Sequence, residues 1–191
     1  MRCRPLNGPA AIWSDLCRDT LGGALLSRDT PDDHHRGLEM MLQARKWQRE
    51  RMPSLVPVTE LFAARERAKR GDTDAAIPVL RAAVDELYEA GRLGYGVWGT
   101  GALVETLIER GAEGDLAEAP QAIDGLVNLL PDGGSAMGGD IVLPRLRALL
   151  SRARGDNAGY RELASRYRAM ADSLAFEGHM AWATAMFKGG E

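Results

Sequence analysis

Lysine is scarce in this chain. It occurs only at Lys46, Lys69 and Lys188 among many arginines, and none of the three follows a glycine-rich loop. No G-x-x-x-x-G-K-[ST] phosphate loop can therefore be assembled. Histidine is equally sparse, at His34, His35 and His179, which leaves no context for a Ser-His-Asp or Cys-His constellation. The two cysteines, Cys3 and Cys17, lack ligand spacing and cannot staple a chain of 191 residues, so a reduced setting is expected. No stretch approaches the roughly 20 apolar residues of a spanning helix. Asn7, Gly8, Pro9, Ser14 and Asp15 interrupt any apolar core of a signal peptide. The expectation is a soluble, cytoplasmic protein that does not engage a membrane. Aromatics make up only 6% of the chain, and no segment alternates with period two in β-branched residues; no strand is predicted.

What is present is helical. Residues 65–91 read RERAKRGDTDAAIPVLRAAVDELYEAG. Leu61, Phe62, Ala64 and Ala68 precede a Gly71–Asp72 turn. Ala76, Val79, Leu80, Ala83, Val84 and Leu87 follow it as a stripe one helix face wide. Gly71 suits the left-handed residue that ends a helix, and Asp72 or Thr73 suits the next N-cap. Gly91 closes the second arm of an αα-hairpin.

Upstream, residues 1–10 are read as irregular, and 12–26 as a short helix weakened by Gly22–Gly23. Thr30-Pro31-Asp32-Asp33 is a helix start with an N-cap, proline at N1 and acids in the first turn. The helix it opens is expected to bury Leu38, Met41, Leu42 and Trp47 and to stop before Pro53. Helices are predicted at about 58–70, 73–90, 96–110, 116–130, 140–154, 157–174 and 178–187. Gly-Asp turns recur at 71/72, 114/115 and 155/156, and Gly178 is taken as the counterpart of Gly91. The expected organisation is a segment 1–29, irregular or weakly helical, followed by a domain 30–188. The fold class is all-α, a tetratricopeptide-like α-solenoid of stacked antiparallel hairpins with a repeat of about 42 residues. No hairpin of this kind buries its apolar face without a neighbour.

Several motifs invite chemical readings. Gly94-Tyr95-Gly96-Val97-Trp98-Gly99 matches G-x-G-x-x-G, but a dinucleotide site needs a strand before it. Here a helix precedes it, so the glycines are assigned to close helix approach and no cofactor is expected. His34–His35 point about 100° apart on a helix and cannot share a metal; they are read as part of an exposed first turn. His179, at a helix start, is assigned to capping or packing. Arg45 to Arg51 interleaves bases with Trp47, a pattern seen in nucleic-acid binders. Yet net charge runs +4 over residues 1–70, −10 over 71–140 and +3 over 141–191. The acidic middle opposes phosphate, and offers either a solvated face or a docking surface for a basic partner.

Asp29-Thr30-Pro31-Asp32-Asp33 with Gly37-Leu38-Glu39 resembles the C-terminal helical region of large bacterial class III adenylate cyclase–ATPase proteins. So do Ala64-Arg65-Glu66-Arg67-Ala68 with Arg70-Gly71-Asp72, and Ala76-Ile77-Pro78 with Leu80 to Asp85. Leu103-Val104-Glu105-Thr106-Leu107 with Arg110 to Asp115, and Phe176 to Ala183, extend the likeness over about residues 27–187. In that family a cyclase domain and a P-loop ATPase domain precede such repeats. Neither is contained here, so no catalytic residue carries over. The resemblance implies a non-catalytic interaction or regulatory module that holds a protein or peptide, a cyclase–ATPase among the candidates. Its groove would be lined by Tyr88, Tyr95, Trp98 and Glu105. A small-ligand sensor and a vestigial cyclase fragment are the alternatives. An array without upstream repeats would expose an apolar end that a second copy could cover, giving a homodimer.

Overall fold

A computed structural model describes residues 9–26, 28, 30–130 and 139–188. Residues 1–8 with Cys3, Asp29, and most of the connection expected over 131–139 lie outside the described residues. Nine α-helices are present among those described: α1 (Pro9–Leu26), α2 (Pro31–Arg51), α3 (Val56–Lys69), α4 (Thr73–Glu89), α5 (Leu93–Arg110), α6 (Asp115–Leu129), α7 (Gly139–Ala153), α8 (Asn157–Leu174) and α9 (Glu177–Lys188). A single 3-10 turn, Pro53–Leu55, joins α2 to α3. The helices pack in sequence as adjacent pairs, consistent with stacked helical hairpins, and α5 also touches both α3 and α7 directly.

Local chemistry sets the corners. Gly71, Gly91 and Gly155 have φ of 89°, 66° and 77°. At each, two amide N–H groups fold back onto the helix just ended. Gly71 and Asp72 donate to Ala68 and Arg67, Gly91 and Arg92 to Tyr88 and Leu87, and Gly155 and Asp156 to Arg152 and Ser151. These are Schellman caps, which satisfy carbonyls a helix end would otherwise leave open. A fourth cap of the same pattern ends α8, where Ala175 and Phe176 donate to Asp172 and Ala171. Its left-handed residue is Ala175 (φ 52°), not the expected Gly178, which lies inside α9.

The three Gly-Asp turns differ in detail. Asp156 caps α8 by accepting from the Gly159 N–H at 2.9 Å. Asp72 makes no such cap and instead pairs with Arg67 at 3.6 Å. Asp115 is the first residue of α6 rather than its cap. Its carboxylate accepts from the Ala112 N–H and from both Arg110 Nε and Nη2.

Helix α5 is central and buried around most of its circumference, as a helix apolar on every side must be. Its glycines permit the crossings. A Cβ on Gly99 would lie 2.4 Å from Leu61 Cδ1 and 2.9 Å from Val84 Cγ2, and one on Gly96 would meet the Tyr88 ring. The G-x-G-x-x-G stretch thus occupies the first two turns of α5, after helix α4, and the space at Gly96 and Gly99 is filled by packing. Around it Leu61, Leu80, Leu87, Val104 and Leu107 are fully buried. Truncating such a leucine costs about 2–5 kcal/mol.

The first hairpin corrects the sequence reading in three places. Helix α1 runs through Gly22–Gly23 without a break, and Gly22 is where it crosses α2, facing Met41 and Gly37 too closely for a side chain. Helix α2 buries Gly37, Met41, Ala44 and Gln48, whereas Leu42 is 48% exposed and Trp47 half-buried. The α2 face turns by one position because Gly37 and Met41, not Leu38 and Leu42, meet α1 at Gly22. His34, expected in an exposed turn, instead points Nδ1 at Glu66 Oε1 (2.7 Å), a carboxylate that is itself buried.

Candidate functional site

Alternate helices share one face. Arg65 of α3 places its guanidinium 5.0 Å from the Trp98 ring centroid of α5, and Phe62 of α3 packs on the same indole at 4.5 Å. Further along, Glu105 of α5 forms an ion pair with Arg145 of α7, and that guanidinium lies 4.6 Å from the Trp182 ring of α9. Both pairings are cation–π contacts. Between them the surface forms a shallow cleft of about 30 Å³ bordered by Trp98, Glu105, Arg145, His179 and Trp182. A volume near that of one water molecule holds no small ligand; what it offers is surface.

The support beneath is polar and ordered. Tyr167 of α8, fully buried, meets His179 Nδ1 through its hydroxyl at 2.8 Å. Burial pushes the Tyr167 phenol up to about 12. Burial, with the Arg145 cation nearby, holds the His179 imidazole below its ordinary value. His179 is thus neutral at pH 7, and its Nδ1 shares a hydrogen bond with the Tyr167 hydroxyl. The Nε atom of Arg145 is buried without a hydrogen-bond partner among the described residues, an arrangement that costs stability.

The four residues expected to line one groove are divided. Trp98 and Glu105 share this face of α5. Tyr88 is on the other side: its ring covers Gly96, its hydroxyl sits 2.7 Å from Thr100 Oγ1, and burial raises its pKa. It lines a separate cavity of about 300 Å³ with Arg81, Glu118 and Leu129. Tyr95 is exposed in the first turn of α5. Arg65, Arg145, His179 and Trp182 were not among the expected groove residues. One signal pointed to Trp182: it lies 84 positions after Trp98, twice the spacing of the Gly-Asp turns.

The acidic middle is partly neutralised within the molecule. Asp74 and Asp115 both engage Arg110, Glu118 engages Arg81 through two hydrogen bonds of 2.8 Å, and Glu105 engages Arg145. Asp85, Glu86 and Glu89 of α4 remain exposed. In the basic run of α2, Arg45 and Arg49 both contact Glu60, at 3.1 and 3.4 Å, and Trp47 is half-buried; this run is not a bare cationic strip. Among the described residues no three His, Cys, Asp or Glu side chains are grouped to hold a metal, and no helix is long and apolar enough to cross a membrane. Cys17 is exposed, with a free thiol.

Comparison with protein-family models, with curated proteins and with solved structures found no match.

Proposed function

We propose that this chain is a non-catalytic interaction or regulatory module, a tetratricopeptide-like α-solenoid that binds an extended protein segment across α3, α5, α7 and α9. The observation that carries the reading is the row Arg65–Trp98 and Glu105–Arg145–Trp182, in which four alternate helices present cations and aromatic rings on one shallow face. Tryptophan and arginine are the residue types that dominate protein interfaces, and Trp182 is 41% exposed. Arg65 has no carboxylate partner among the described residues, which favours a segment bearing acidic side chains over a basic one. Repeat architecture supports the same reading. Polar contacts between successive hairpins recur at separations of 36 to 40 residues, as in Asp74–Arg110, Glu118–Arg81, Ser54–Arg92, Leu116–Arg154 and Glu105–Arg145. Pro78 and Pro120, each the sixth residue of its helix, are 42 apart. By its resemblance to the C-terminal region of cyclase–ATPase proteins, the module would act on a signalling enzyme of that type.

The test uses the purified, tagged full chain as bait in lysate, with a cyclase–ATPase assayed directly among retained proteins. Arg65→Glu with Trp182→Ala is compared with Glu86→Lys with Glu89→Lys. Retention of a specific protein by the wild type and the second variant, and its loss from the first, supports the proposed face. Loss confined to the second variant moves the site to the acidic outer surface of α4. Retention of nothing above a scrambled-charge control overturns the module reading. Reversing Glu105 is a poor test, because it breaks the Arg145 pair as well as any partner contact.

A further inference from the structure

Among the described residues, α9 is the one helix whose backbone approaches a single neighbour, α8; each of the others lies against two or more. Helix α8 takes the side of α9 that carries Ala183 and Met186, both buried. The opposite side is bare. Of the ten large apolar side chains exposed among the described residues, five lie between Leu174 and Phe187. The end of a helical array ordinarily turns a polar outer face to water, and this end does not.

The bare side has a definite pattern. Glu177, Ala181, Thr184 and Lys188 are all exposed, and helical geometry sets them within about 60° of one another, in a line down the helix. Met180 and Phe187, 37% and 39% exposed, flank that line on one side. The Thr184 hydroxyl donates to the Met180 carbonyl at 2.9 Å, so its polar group is already satisfied within the helix. Glu177 is the only acidic residue of α9, and Lys188 its only lysine or arginine. They stand at opposite ends, each at the end its own helix dipole favours. Neither has an ion-pair partner among the described residues.

That order makes the face complementary to a copy of itself turned end for end. Laid antiparallel, two α9 helices bring Glu177 of each opposite Lys188 of the other. Ala181 then meets Thr184, small side chains that let the axes come close. Met180 of each lies beside Phe187 of the other, a thioether against a ring. Laid parallel, the same helices would set Glu177 against Glu177 and Lys188 against Lys188. We propose that α9 is a self-association surface, on which a second copy of this chain packs its own α9 antiparallel in an isologous two-fold dimer. The second copy supplies the neighbour that the other helices find within the chain. The homodimer considered from the sequence was placed at the upstream end of the array; this surface is at the downstream end. Trp182, on the face proposed for a protein partner, points about 140° away from the line of contact, and either surface can fail without the other.

A helix of 12 residues is about 18 Å long. The interface is therefore small, and the dissociation constant is expected between about 1 µM and 1 mM. The test is sedimentation equilibrium of the full chain across that range. The mass should rise from 20.7 kDa towards twice that value as concentration increases. Ala181→Glu, at an exposed position in the middle of the contact, should keep the chain monomeric throughout. Glu177→Lys and Lys188→Glu each turn two attractive pairs into repulsive ones, and each should weaken the dimer by roughly tenfold. An equimolar mixture of these two variants should regain wild-type association, because each then carries the charge the other lacks. Circular dichroism on each variant confirms that the helices are intact. A wild type that stays monomeric up to about 1 mM, whatever protein it retains from a lysate, would overturn the proposal. So would association unchanged in folded Ala181→Glu or in the single charge reversals, or no recovery in the mixture.

Discussion

Ala175 carries a sharp energetic prediction. It is the left-handed residue of the cap that ends α8, at φ 52° and ψ 35°, and it is exposed. The same hydrogen-bond pattern at 71, 91 and 155 is built on glycine. An L-residue in this conformation loses about 1–2 kcal/mol to the clash of Cβ with the following carbonyl. Glycine loses about 0.4–1 kcal/mol more backbone freedom on folding than alanine. Ala175→Gly should therefore stabilise the protein by about 0.5–1 kcal/mol. For a chain of this size that corresponds to a Tm increase of about 1–4 °C. Gly155→Ala is the mirror experiment: φ is 77° and nothing lies within 4 Å of the new Cβ, so only backbone strain is added. It should lower Tm by a similar amount. The two sites lie at opposite ends of an 18-residue helix, about 27 Å apart, so the double variant should return close to the wild-type Tm. Thermal and urea unfolding followed by circular dichroism measures all three. An unchanged or lower Tm for Ala175→Gly, with the urea slope constant, would refute the claim that Ala175 is a strained substitute for a cap glycine.

Two glycines two positions apart on α5 should respond with opposite signs. Gly99→Ala must displace buried Leu61 or Val84 and should cost about 1–3 kcal/mol. Gly101→Ala meets nothing within 4 Å and should gain up to about 1 kcal/mol of helix propensity; urea midpoints report both. Because the His179 pKa is depressed in the fold, the unfolded chain binds the proton first as pH falls. Stability should therefore decline below the ordinary histidine value of about 6.5, and His179→Gln should flatten that part of a Tm–pH profile. Asp115 behaves as the acid case: the Arg110 guanidinium holds its carboxyl below the usual range. Its contribution is present above about pH 4 and is lost as pH falls further, and Asp115→Asn should remove that acid-limb component from the same profile.

Helix positions were legible because their signals are local. Thr30 accepts from the Asp33 N–H at 3.3 Å as the cap the sequence implied, and α3 to α9 begin and end within a few residues of expectation, where glycine, proline or aspartate sets the boundary. Periodicity also gave the α4 stripe, from Ala76 to Leu87, nearly residue for residue. The candidate site was less legible because it depends on which face of one helix meets the next. Tyr88 and Trp98 looked like partners in sequence, yet Gly96 has no side chain, so the Tyr88 ring lies over it and turns away from Trp98. Trp98 is instead met by Arg65 and Phe62, more than thirty residues upstream.

The same logic explains the acidic middle. Counted along the chain it is a belt, and the count already includes Arg110, which engages Asp74 of the preceding hairpin and Asp115 across its own turn; only Arg145, from the basic C-terminal part, brings an added cation, onto Glu105. Arg65 and Trp182 on the alternate-helix face are not consumed in this way, and they are the residues on which the proposed partner face depends.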